Sequence, residues 1–95
     1  IHQPDLVIYD AGIDIHQQDA LGLLHISTAG VAERDWYVLN DCHKKEIPVA
    51  AVIGGGYQRD LEALTQIHLQ LFYAAFKISG VSLPNTNRWF HALCT

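Results

Sequence analysis

The sequence predicts an α/β domain built on a parallel sheet, and three observations carry that prediction. Short apolar runs at Leu6-Val-Ile-Tyr9 and Pro48-Val-Ala-Ala-Val-Ile53 have the length and composition of strands. A segment with helical spacing lies between them, as a crossover between parallel strands requires. Each run also ends in a loop of ligand-binding character, Asp10-Ala-Gly-Ile-Asp-Ile-His16 after the first and Gly54-Gly-Gly-Tyr57 after the second. Open α/β proteins bind their ligands at that edge of the sheet.

The first run, preceded by Pro4 and closed by Asp10-Ala-Gly12, fits a strand buried on both faces. From Asp10 to Ile26 no helical period is sustained, and Gly12 and Gly22 punctuate a long loop of the kind that is usually functional. Ser27 or Thr28 then caps a helix running to about Lys45. Val31, Arg34-Asp35, Val38-Leu39 and Cys42 recur on it at three and four residues, and Ile26 is placed as a hydrophobic staple. Lys44 and Lys45 stand in its last turn, where cations suit the helix dipole. The second buried strand follows at Pro48–Ile53, and strand, helix and strand in this order form a right-handed βαβ unit.

Asp60 is the N-cap of a second helix ending at Ser79, with Gly80 as its stop signal. Leu61, Leu64, Ile67-His68, Leu71-Phe72 and Ala75-Phe76 form its apolar stripe, widened by Leu69 and Tyr73. That width calls for burial on more than one side or for a partner. Residues 1–80 thus read as one βαβα unit and 81–95 as a tail, a linker through Pro84 followed by Trp89-Phe90-His-Ala-Leu93. Two strands are few for a parallel sheet, and Ile1 opens almost directly onto the first of them without an initiator methionine. The expectation is part of a larger fold.

Composition excludes several functions. The 95 residues carry a formal charge of −4, with six Lys and Arg against ten Asp and Glu, so no basic stripe is available to neutralise phosphates and direct nucleic-acid binding is not expected. No stretch reaches the roughly 18 to 20 apolar residues of a membrane helix. Cys42 and Cys94 lack CxxC spacing and read as reduced thiols, which predicts a cytoplasmic protein.

Asp14 and His16 form an Asp-x-His pair, flanked by Asp10 and Asp19, and these are ligands suited to zinc or another divalent ion. The same aspartates also read as turn-forming residues and caps. The Gly54–Tyr57 loop is similarly open. Three glycines allow positive φ angles and close approach of backbone to a ligand, which could be a phosphate at the start of the helix after Asp60. Alternatively, Tyr57 donates its phenolic proton to an oxyanion beside a metal, or simply plugs a tight turn. His2, His25, His43, His68 and His91 show no ligand spacing to one another, and Trp36 and Tyr37 read as packing residues.

Taken together, these residues resemble the zinc-dependent histone deacetylase superfamily, including bacterial histone-deacetylase-like and acetoin-utilisation-type proteins, and most closely its class IV branch. The stretches that carry the resemblance are Pro4-Asp-Leu-Val-Ile-Tyr-Asp-Ala-Gly-Ile-Asp-Ile-His16, Asp19-Ala-Leu-Gly22, Leu24-His-Ile-Ser27, Gly30, Arg34-Asp35, Ile47-Pro-Val49 and Gly54-Gly-Gly-Tyr57, in the family's order and spacing. The resemblance implies the C-terminal part of a three-layer α/β/α arginase/deacetylase-like fold with a parallel sheet. It makes Asp14 a ligand of a catalytic zinc, with iron(II) also compatible, and Tyr57 the catalytic oxyanion donor. Gly54, Gly55 and Gly56 become the wall and floor beside the bound acetyl group. His16 is then a decoy, a structural or supporting group like Asp19, because the family's Asp-x-His ligand pair belongs to an earlier segment.

The family's tandem histidines and its upstream Asp-x-His ligands have no counterpart in this sequence. One aspartate cannot make the three-ligand open site of catalytic zinc. The expectation is therefore a bacterial-type deacetylase acting on acetyl-lysine or an acetylpolyamine in a parent protein, with the 95-residue chain inactive alone and partnered by the remainder of the domain. Two other readings compete with it. One is a non-catalytic nucleotide- or phosphate-binding module using the Gly54–Tyr57 loop, and the other is self-association through the apolar helix at 60–79.

Overall fold

A computed structural model describes residues 3–80; the tail at 81–95, with Cys94, Trp89 and His91, lies outside the described residues, as does His2. The element order is β1 (Val7–Asp10), α1 (Thr28–Lys44), β2 (Val49–Val52) and α2 (Leu61–Ser79). The strands pair in parallel, with Val7 opposite Val49 and Asp10 opposite Val52. The first strand starts and ends one residue later than the apolar run that predicted it, and the second is shorter than its run by one residue at each end.

The ladder does not stop where the strands do. Ala11 N–H donates to Val52 O at 2.9 Å and Ile13 N–H to Gly55 O at 2.6 Å, so the two loops leaving the sheet stay in register for another three residues.

Burial on both strand faces, which the apolar runs predicted, is not what the described residues show. Val7 and Tyr9 are half-buried, whereas Ile8 is 72% exposed. The reason is the placement of the helices. Leu39 of α1 and Leu71 and Ala74 of α2 cluster with Ala11, Tyr9 and Val49, so both helices cover one face of the sheet. The opposite face, with Ile8 and Val52, is uncovered among the described residues.

Ser27, not Thr28, caps α1: its backbone is extended and its Oγ accepts from Gly30 N–H at 3.1 Å. Ile26 does act as the staple, packing with Val31 against Ile13 and Ile67. The buried stripe of α1 is Val31, Asp35, Leu39 and Cys42. Lys45 follows the last turn and pairs with Asp41 on the surface. The helix ends in a Schellman turn, in which Glu46 N–H donates to His43 O and Ile47 N–H to Cys42 O. That turn places Glu46 at φ 56°, the left-handed region that glycine prefers.

Asp60 caps α2 through Oδ1, which accepts from Glu62 and Ala63 N–H, and Gly80 ends it at φ 71°. Only part of the wide stripe is buried. Ile67 and Leu71 are inside, together with Ala74, which the predicted stripe did not include, while Leu61, Phe72, Ala75 and Phe76 remain exposed. Trp36 lies beneath the Lys77 ammonium, 5.1 Å from its ring centre, and so links the two helices. Tyr37, expected to pack, is instead 72% exposed.

Candidate active site

The loop after β1 folds back on itself. Gln17 N–H donates to Ile26 O and Ile26 N–H to Ile15 O, closing the base of an excursion that runs from residue 17 to residue 25. Within it, Asp19 Oδ1 accepts from Leu21 N–H at 2.9 Å and Gly22 N–H at 2.7 Å, a turn of the kind aspartate favours. Asp19 Oδ2 reaches the other loop and accepts from Tyr57 N–H at 2.8 Å. Partial loss of water pushes the Asp19 carboxyl up, but the three N–H donors and nearby His16 outweigh that and hold it below its usual range.

Asp14 and Tyr57 meet beside Gly55. A side-chain carbon on Gly55 would lie 2.6 Å from Asp14 Oδ2 and 3.4 Å from Tyr57 Cε2. The carboxylate of Asp10 sits in the same way against Gly54. These glycines serve close approach. The positive φ angles that the sequence allowed are not used here, since Gly80 alone among the described glycines has one. The Tyr57 side chain is half-exposed at the rim.

His16 turns away from this rim. It is 3% exposed; its Nδ1 accepts from Gln18 N–H at 3.0 Å, which puts the proton on Nε2, 2.9 Å from Thr28 Oγ1. The Gln58 amide also approaches Nδ1, at 3.3 Å. Burial lowers its pKa, opposed by Asp19, so the ring is neutral at pH 7. Both nitrogens are engaged by protein groups, and the ring fastens the start of α1 to the excursion.

A second cluster holds Gly12, two residues before Asp14. Arg34 Nη1 donates to Gly12 O at 2.7 Å, and its Nη2 and Nε reach Asp35 Oδ1 at 2.9 and 3.1 Å. Asp35 is 1% exposed and accepts from the Tyr9 hydroxyl at 2.5 Å. Burial, then the Asp35 carboxylate, push the Tyr9 phenol well above its ordinary ionisation range, so it remains a donor. Sequence reasoning placed Arg34-Asp35 on the helix stripe without giving either residue this task. The signal was there: an acid on an otherwise apolar stripe must find a donor.

Asp14, Asp19, Gly54, Gly55 and Tyr57 are therefore brought together, and Gly56 packs inward against Ile13, Leu64 and His68. Among the described residues no group of three His, Cys, Asp or Glu could hold a metal ion, and Asp14 alone does not make the three-ligand set of a catalytic zinc site. The phosphate alternative fares worse. The start of α2 is already occupied by the Asp60 carboxylate, with Glu62 in its first turn, and two acids there repel an anion.

An acid, a glycine floor and a phenol at the ends of neighbouring parallel strands define an α/β protein whose candidate site lies at the carboxyl edge of its sheet. Comparison with known proteins identifies the class. The family model of the histone deacetylase domain matches residues 1–74, and the chain belongs to that family. It is 45% identical over 73 residues to an uncharacterised protein of Picosynechococcus sp., covering 77% of this chain and 24% of that protein. It is 47% identical over 57 residues to histone deacetylase 2 of Arabidopsis thaliana, covering 60% of this chain and 15% of the relative. The chain thus spans a quarter or less of the length of these two relatives. Among the described residues no helix is long and apolar enough to cross a membrane.

Proposed function

We propose that this chain supplies one side of a deacetylase active site that hydrolyses an N-acetyl amide, on acetyl-lysine or an acetylpolyamine. The observation that carries the reading is the extension of the β1–β2 ladder through Ile13 N–H to Gly55 O, because it sets Asp14 and Tyr57 beside the same glycine. In this reading Asp14 is one ligand of a zinc or iron(II) ion whose other ligands lie outside the described residues. The ion supplies Lewis acidity toward the acetyl carbonyl and its attacking water. Tyr57 donates its phenolic proton in a hydrogen bond to the carbonyl oxygen as negative charge gathers there. The Gly54–Gly56 backbone lines the slot for the acetyl methyl, and the absence of side chains lets the Asp14 carboxylate lie against it. His16 and Asp19 hold the two loops.

The partner is the remainder of a three-layer deacetylase domain, with class IV as the branch. Support comes from the uncovered sheet face of Ile8 and Val52, from exposed Leu61, Phe72 and Phe76, and from the small share of each relative that the chain covers. Further strands and helices against those surfaces would remove them from water.

The test compares the product of the complete coding sequence with the 95-residue chain. The complete product is expected to bind zinc and release acetate from an acetyl-lysine peptide or an acetylpolyamine, and the chain alone to do neither. Asp14→Ala should abolish zinc retention, and Tyr57→Phe should lower kcat about 10²- to 10³-fold. Acetate release by the purified chain, or full activity after Asp14→Ala, would contradict the proposal.

A further inference from the structure

We infer that Asp19 is the positioning residue for Tyr57, fixing the phenol relative to Asp14 by gripping the backbone of the loop that carries it. The inference rests on the deacetylase reading above. Tyr57 follows three glycines, which leave the backbone the most freedom a chain can have. Its side chain is half-exposed, so packing alone does not fix it. The Tyr57 N–H is held by Asp19 Oδ2 at 2.8 Å, from a residue 38 positions away.

Asp19 is itself anchored. Its other oxygen closes the turn to Leu21 and Gly22, and its own N–H donates to His16 O at 3.0 Å. Gly22 in turn lies against the Asp14 backbone: a side-chain carbon there would come within 3.0 Å of the Asp14 carbonyl carbon. One carboxylate therefore joins three pieces, namely the turn at 19–22, the Asp14 backbone beneath that turn, and the first residue after the glycines. Donors from both loops converge on a single charged acceptor, and hydrogen bonds to a charged group are the stronger kind. Without that acceptor the phenol would still be present, but its distance to the reacting carbonyl would no longer be set. A misplacement of about 1 Å can cost on the order of 100-fold in rate.

The experiment uses Asp19→Asn, Asp19→Ser and Tyr57→Phe. An amide in place of the carboxylate has one acceptor oxygen for two sets of donors. A serine hydroxyl can keep the local turn but is too short to reach Tyr57, so it carries the test if the amide disturbs the turn. In the complete coding product, either substitution should lower kcat about 10- to 100-fold, with KM and zinc content unchanged within about twofold. In the Tyr57→Phe background the same substitution should cost little more, because the residue acts through the phenol.

In the 95-residue chain, amide exchange at Tyr57 should accelerate about tenfold or more on either substitution, whatever the activity. Equal kcat losses with and without the Tyr57 hydroxyl, or unchanged Tyr57 exchange, would overturn the inference and leave the deacetylase reading standing. A complete wild-type product that hydrolyses no acetylated substrate would overturn that reading, and the inference with it.

Discussion

Gly55→Ala tests whether the convergence of Asp14 and Tyr57 is what requires a glycine at that position. The new methyl carbon would fall 2.6 Å from Asp14 Oδ2 and 3.0 Å from its Cγ. That is about 1 Å inside the roughly 3.5–4.0 Å at which non-bonded heavy atoms are at rest. The carboxylate cannot simply retreat with the loop, because Ile13 N–H is bonded to Gly55 O at 2.6 Å, and the two backbones move together or lose that bond. Overpacking of this sort costs typically 1–3 kcal/mol, and we expect about 2 kcal/mol for Gly55→Ala. Urea denaturation of the chain, with the midpoint read at constant slope, measures it. A cycle with Asp14→Ala identifies the cause, since removing the carboxylate should reduce the cost of Gly55→Ala to under about 0.5 kcal/mol. An equal cost in both backgrounds, or no cost in either, would refute the reasoning.

Removing the acceptor of the second cluster, Asp35→Ala, should destabilise the chain by about 2–4 kcal/mol, because it orphans the Tyr9 hydroxyl and half of the Arg34 fork. Tyr9→Phe should cost less, and a cost for Asp35→Ala below about 1 kcal/mol in the same denaturation assay would argue against a structural role. Glu46→Gly relieves a left-handed residue at φ 56° and should raise stability by about 1 kcal/mol. Stability should also depend on pH through His16 and His68, both of which burial pushes below the usual histidine value. The unfolded chain then binds more protons, so their contribution is full above about pH 6.5 and falls as the pH drops below it. Denaturation midpoints from pH 7.5 to 5 check the sign, and His16→Gln should flatten the slope.

Local signals located most of the elements. Ser27 and Asp60 are caps, and Gly80 is a stop, because each satisfies a helix end within a few residues of chain. The apolar runs found both strands but overstated their burial, since periodicity records which residues are apolar and not what covers them. Asp14, Gly55 and Tyr57 were legible as neighbours because parallel strands deliver their following loops to one edge. The Arg34–Gly12 bond, the Tyr9–Asp35 pair and the Asp19–Tyr57 bond were not, since each joins residues far apart in sequence through groups that are common and bear no spacing signature.

The sequence by itself determined the α/β class, the two loops and the residue types able to bind a metal ion and polarise a carbonyl, because strand period, caps and glycines act over short range. Only the tertiary structure decided which groups meet. It turned His16 inward against Thr28, placed Asp14 and Tyr57 beside Gly55, and gave Asp19 to the Tyr57 backbone. Those choices follow from strand register and from the need to satisfy buried or converging polar groups, and that need is met across the fold rather than along the chain.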